Sequence, residues 1–483
     1  MTTTRIRNAD WVVGWDGSQH VYLRHADVVF ADDRIASIGA GHAGPVDREI
    51  DGRGFLVTPG FVNVHCHPAS EPLNKGYMEE LGSRKLYMGG YYEYASVIFW
   101  GDDAAKAAAT EVAYCELAKS GCTTVCDLSR VYPGWLDLAD RSGLRIWLGP
   151  MFRNGRPYTP DGNKVVYEWD EAAGAVNFRE SLDLVDAAER HPNGRLSGMV
   201  VPAQTDTLTD GMIRDAVDAA RERGLILQTH GAQNWIEFHE MTRRHGITPV
   251  EFMAKVGILG PRSIVAHAIF IDQHPRVQWW SDNDIGLLAS SGVTVAHCPT
   301  VYSRRTWVLD HFGRYRKAGV RMAMGTDTYP HNMVEELRGA SILCKVAARD
   351  VGAVTTAELF HAATIGGAAA LGRDDLGRLA PGAKADLVMV DMNHWSMRPG
   401  REPLRCLIFS AGERPIRHVF VDGRQVVEDG NVLTLDHDDA LTRLAAGQRR
   451  MEVDVPKRDW AGRTAEQASP LALPVVSSLT YTQ

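Results

Sequence analysis

Stretches 61–64, 121–127, 145–150, 197–202, 225–230, 263–267, 293–297 and 320–327 of this 483-residue chain are short and apolar, and each reads as a buried strand. Between them lie helix-length segments such as 103–120 and 210–224. Alternation at this spacing demands parallel strands, and eight of them predict a closed barrel with helices outside. A doubly wound open sheet is the alternative, but no glycine-rich dinucleotide fingerprint follows the first strand.

On either side of this core the pattern changes. Residues 6–13, 26–30 and 34–39 read as strands joined by turns at Asp16-Gly17 and Asp32-Asp33. Late in the chain 385–391 reads as another strand, and 418–427 as a hairpin about Asp422-Gly423. The expectation is one small β-domain built from both chain ends; an independent C-terminal domain is the alternative. The boundaries drawn are 1–58 and 376–435 for the β-domain, 59–375 for the barrel, and 436–483 for a C-terminal helix and tail. The helix is placed at 441–453. The tail is read as a surface arm, a candidate for packing on a neighbouring subunit, with no chemistry of its own.

Polar residues fall where the barrel strands end. His65 and His67 are two positions apart, so on a strand they share a face and can converge on one metal ion. A lone histidine closing a strand is usually structural. Here His230, His267 and His297 close strands five, six and seven, and Asp327 follows Gly325-Thr326 at the end of strand eight. In a barrel these ends form one rim, where catalytic groups gather.

Composition narrows the remaining classes. The formal charge of −8, from 52 basic and 60 acidic residues, argues against nucleic acid or an anionic membrane as partner. No apolar run reaches the roughly 18 residues needed to span a bilayer, and residues 1–6 lack a secretory apolar region. Seven scattered cysteines suit reduced, buried thiols in a cytoplasm. A cytoplasmic homo-oligomer acting on a small molecule is expected.

Residues 59–67, with Thr229-His230, Ala266-His267, His297-Cys298-Pro299 and Gly325-Thr326-Asp327, resemble the amidohydrolase superfamily. More closely they resemble its branch of cytosine, guanine and S-adenosylhomocysteine deaminases and triazine chlorohydrolases. Residues 379–387 are similar to the segment by which these enzymes re-enter their β-domain. The resemblance implies a (β/α)8 TIM barrel with a flanking β-sandwich. It implies one divalent metal on His65, His67, His230 and Asp327, zinc by default, with iron, cobalt or manganese also suited. By the same resemblance Asp327 is the base that takes a proton from the attacking water, and His267 hydrogen-bonds that water or the developing charge. Strand four ends Val201-Pro202-Ala203-Gln204, with no lysine to bridge a second metal.

One position departs from the branch. A glutamate that shuttles protons is expected three residues after the strand-five histidine, and Gln233 stands there. An amide can orient a substrate but cannot exchange a proton near neutrality. Glu237 reads as an ordinary helix carboxylate. Deamination of a cyclic or aromatic nitrogen compound is the leading expectation. The alternative is hydrolysis of an amide, urea, carbamate, thiocarbamate or halide, and a non-catalytic barrel with an assembly role comes third. Gln233, His297, Arg304, Tyr91 and His331 are the candidate substrate contacts. The aromatic segment containing Tyr91 is a candidate substrate wall or a subunit contact, and Arg304 or Arg305 could hold an anionic substituent.

Overall fold

The computed structural model describes residues 2–77, 84–86, 92 and 100–478. All eight expected barrel strands form: Phe61–Cys66, Cys122–Asp127, Arg145–Leu148, Leu196–Pro202, Ile226–Gly231, Ser263–His267, Thr294–His297 and Arg321–Met324. Each pairs in parallel with the next. Hydrophobic and β-branched side chains bury both faces of such strands, and Val64, Cys126, Met199, Ile264 and Ala296 are fully enclosed in one cluster.

Strand eight is shorter than the sequence suggests. Its ladder stops at Met324, and Gly325, Thr326 and Asp327 turn back against strand one. There the amides of Thr326 and Asp327 donate to the His65 carbonyl at 3.0 and 2.9 Å, and the His67 amide donates to Asp327 at 3.2 Å. These bonds close the barrel. A Cβ at Gly325 would stand 2.8 Å from that same carbonyl oxygen, so only glycine allows the approach. Buried Asn63 fastens the seam through Thr326, taking its amide at 3.2 Å and donating to its hydroxyl at 2.9 Å.

The flanking domain is a single nine-stranded mixed sheet drawn from both chain ends. Phe55–Pro59, just before the barrel, pairs antiparallel with Leu387–Asp391, which follows it. The sheet curls over itself. Phe30 and Phe420 stand on strands separated by three others in the ladder, yet their rings meet at 5.7 Å.

Two features were not foreseen in the sequence: a hairpin at the rim, and the surface on which the expected C-terminal helix packs. A hairpin, Gly155–Tyr158 with Val166–Trp169, rises from the rim after strand three. The C-terminal helix runs from His437 to Val453 and packs on this chain's own Asp103–Lys119 helix. Gly447 permits the contact, since a Cβ there would come 2.6 Å from that of Ala105. Arg443–Glu111 and Arg450–Asp102 ion pairs, each 2.7 Å, flank it. Leu471, Leu473 and Val475 beyond it are exposed. No helix among the described residues is long and apolar enough to cross a membrane.

Candidate active site

The strand ends bring His65, His67, His230, His267 and Asp327 together. The Nδ1 of His67 lies 2.6 Å from the Leu128 carbonyl, and that of His230 is bonded to the Ala203 carbonyl. A carbonyl only accepts, so both protons sit on Nδ1. The two Nε2 lone pairs therefore face each other at 3.1 Å. Around them Asp327 presents one oxygen 3.3 Å from His67 Nε2 and 3.7 Å from His65 Nε2, and the other 3.4 Å from His267 Nε2. Converging lone pairs in a buried space repel unless a cation lies between them.

Second partners hold this geometry. Gln228 donates to the Val64 carbonyl at 2.8 Å, which turns its oxygen towards His65 Nδ1 at 3.4 Å. His65 Nε2 is left buried with no hydrogen-bond partner. Burial holds His65 well below the usual imidazole range, with neighbouring His230 adding to the effect, and lowers His230 to about 3. Neutral imidazoles are what a metal requires. Burial pushes Asp327 up to about 7, against the nearby Arg305 guanidinium. The donor set thus fits one divalent ion. Cys298 shares the spacing, but burial keeps its thiol protonated.

The backbone is bent to make this cluster. Ala232, His267 and Asp327 have φ of 52°, 78° and 57°, conformations that non-glycine residues seldom adopt.

The cluster lies at the inner end of a cavity of about 600 Å³. Gln233 lines it, its side-chain oxygen taking a hydrogen bond from the Tyr302 hydroxyl, whose ring meets His267 edge-on at 4.7 Å. Glu237 is not the ordinary helix carboxylate expected. It is wholly buried and reaches back to accept the Ala232 and Gln233 amides at 2.9 and 2.7 Å. Burial and the Asp206 charge raise it to about 8. It braces the loop rather than facing the cavity.

Arg304 lines the cavity, with its guanidinium 4.7 Å from the Tyr329 ring. Two proposed substrate contacts do not reach it. His297 packs on Phe312 at 5.6 Å, outside the lining, because strand seven ends with its ring turned behind the rim. His331 is fully buried behind Asp327, its ring 3.1 Å from the Thr326 hydroxyl and its amide on Glu116 at 3.2 Å. Tyr91 lies outside the described residues. Glu71 was missed: four residues past His67, it is buried on the cavity wall, accepts from the Thr328 hydroxyl, and is raised by burial and by Asp327. Tyr302 and the C-terminal Lys457, Arg458 and Trp460 were missed as well.

The model described as the amidohydrolase family matches residues 56–426. The chain belongs to that family. This amidohydrolase is a metal-dependent hydrolase acting on carbon–nitrogen bonds, as its resemblances implied. It is 29% identical over 418 residues to 5-methylthioadenosine/S-adenosylhomocysteine deaminase of Natronomonas pharaonis, covering 86% of this chain and 91% of the relative. An adenosine deaminase from Xanthomonas campestris with bound zinc superposes with a TM-score of 0.77 at 22% identity, over 94% of this chain and 99% of that one. Atrazine chlorohydrolase from Arthrobacter aurescens TC1, complexed with zinc, gives 0.77 at 22% identity, over 92% and 100%. At that identity the two structures speak for the fold alone.

Proposed function

We propose that the protein is a zinc-dependent aminohydrolase that releases ammonia from an amino-substituted heterocycle, with an aminopurine nucleoside as the leading candidate. The observation that carries the metal part of this reading is the set of facing, unprotonated nitrogens around Asp327. The deaminase names of relatives such as that of Natronomonas pharaonis support the reaction, and the cavity volume supports a substrate larger than a bare ring.

His65, His67, His230 and Asp327 would hold the ion. When bound, it acidifies a water so that hydroxide is available near neutral pH. Asp327 takes the water's proton on the oxygen nearest His267 and carries it towards the departing amine. His267 orients the attacking oxygen by a hydrogen bond from its ring. Gln233, pinned by Tyr302, places a ring heteroatom of the substrate by hydrogen bonding and moves no proton.

Gln233 also favours a second reading. Without an acid at that place, a leaving group needing little protonation is easier, as in amide, urea, carbamate, thiocarbamate or halide hydrolysis. Metal analysis paired with ammonia assays on aminopurine nucleosides, ureas and carbamates separates the two. One zinc per chain with ammonia from the nucleosides is expected. Metal with cleavage only of the others would move the assignment to the second reading, and a protein that neither binds nor needs metal would end both.

A further inference from the structure

The outer end of the cavity has a different character from the metal cluster. Its wall carries Arg153, Arg156, Lys457 and Arg458, with the indoles of Trp100 and Trp460 among them. The only carboxylates lining the cavity among the described residues, Glu71 and Asp327, belong to the inner end. In a chain of net charge −8, this is a local reversal of sign.

The wall is built, not incidental. Trp460 seats on the hairpin connection at Gly162, where an added Cβ would come 2.7 Å from the indole. Asp459 folds the turn beside it, accepting the Ala461 and Arg463 amides at 3.0 Å each. Arg458 donates to the Met451 carbonyl at 2.9 Å and spreads over the Trp100 ring at 5.4 Å. Across the cavity, partly buried Arg153 has no ion-pair or hydrogen-bond partner among the described residues. Arg156 and Lys457 pair with Glu168 and Asp454 at exposed positions, where ion pairs are weak and exchange readily. A half-buried guanidinium without a counter-charge is a poor arrangement until an anion arrives.

We propose that this outer chamber is an anion subsite: Arg153 from the barrel rim and Arg458 from the C-terminal segment bind a carboxylate or phosphate on the part of the substrate remote from the reacting carbon. Its placement as a substrate subsite rests on the hydrolase reading of the inner end. The C-terminal segment is then part of the specificity apparatus and not a bare arm.

The test is calorimetric binding to the zinc-loaded full chain of three probes on one scaffold that carries no amine to lose: inosine, inosine 5′-monophosphate and inosine 5′-carboxylate. At least one anionic probe is expected to bind about tenfold more tightly than inosine, the worth of one charge-assisted hydrogen bond, with the preference shrinking as salt is added. Which probe is preferred distinguishes phosphate from carboxylate. Arg153→Gln and Arg458→Gln should each reduce the preference severalfold. Arg153→Gln is the safer variant, since it removes no contact within the described fold. Equal affinity for all three probes, no binding of either anion, or a preference that survives both substitutions would overturn the subsite. Ammonia release is followed separately. A charge preference without ammonia would end the deaminase reading and leave the subsite standing.

Discussion

At the inner end of the cavity the candidate metal ligands stand on, or just past, barrel strands, and the three histidines among them are aimed by partners deeper in the fold. His67 and His230 are set by carbonyls, His65 by Gln228, and the loop carrying Gln233 by Glu237. At the outer end the wall comes from a hairpin and from residues 457–460, held by packing across long sequence separations. The first region derives precision from the closed barrel. The second is built from pieces that can vary without disturbing the barrel.

Four experiments would break or sharpen that contrast. The largest effect is expected from removing the metal: dialysis against a chelator should abolish turnover, zinc should restore it, and the metal-free protein should melt at a lower temperature because its imidazoles face one another uncompensated. Full activity after metal analysis shows none left would refute the inner-site account. Next, Asp327→Asn should lower kcat by about 10³-fold with circular dichroism unchanged. A small loss would assign the proton to another group. Third, Tyr302→Phe removes the hydroxyl that pins Gln233 and should raise KM by roughly tenfold, the scale of one lost hydrogen bond, while kcat moves less. Equal losses in both would make Tyr302 part of the chemical step. The smallest effect belongs to the outer region: Gly447→Leu should strain the C-terminal helix against Ala105, costing about 1–3 kcal/mol in denaturant unfolding. The barrel itself should remain.

The same contrast has a pH signature. Burial lowers His297 to about 4 and His230 to about 3, so both are neutral in the fold and protonate more readily when unfolded. Their contribution is complete above the unfolded value near 6.5 and is lost as pH falls towards the folded values. Carboxylates raised by burial, such as Asp327 and Glu237, act in the opposite sense over the same range, so the histidine contribution is read as a difference: between pH 6.5 and 4 the metal-free His297→Asn variant should lose less unfolding free energy than the unsubstituted protein. Parallel profiles for the two would mean that the His297 ring is not neutral in the fold.

Much of the inner end was legible in the sequence, because period and position carry it. Strands alternate with helices, and the histidines sit where strands end, so one topological rule brings them to one rim. His297 and His331 show the limit of that rule: ending a strand, or following one, does not say which way a ring turns. Glu237 shows another: a regular helix would hold its carboxylate one turn away, and only an irregular loop, which the sequence does not reveal, lets it fold back onto the Gln233 amide. The outer end was illegible for a different reason. Lys457 and Arg458 lie in a polar segment without periodicity, and what recruits them is Gly447 against Ala105 and Trp460 against Gly162. Such pairings are specific only in three dimensions.

The ladder between Phe55–Pro59 and Leu387–Asp391 also acts on the order of assembly. A nascent chain makes the first of these strands long before the second, with every barrel strand emerging in between. Until residues 387–391 arrive, Phe55–Pro59 has an open edge, and edges of this kind invite mispairing. The flanking sheet is thus completed only by a late partner. Folding at the ribosome would be paced by that wait, and a chain stalled before it is the form most in need of a chaperone.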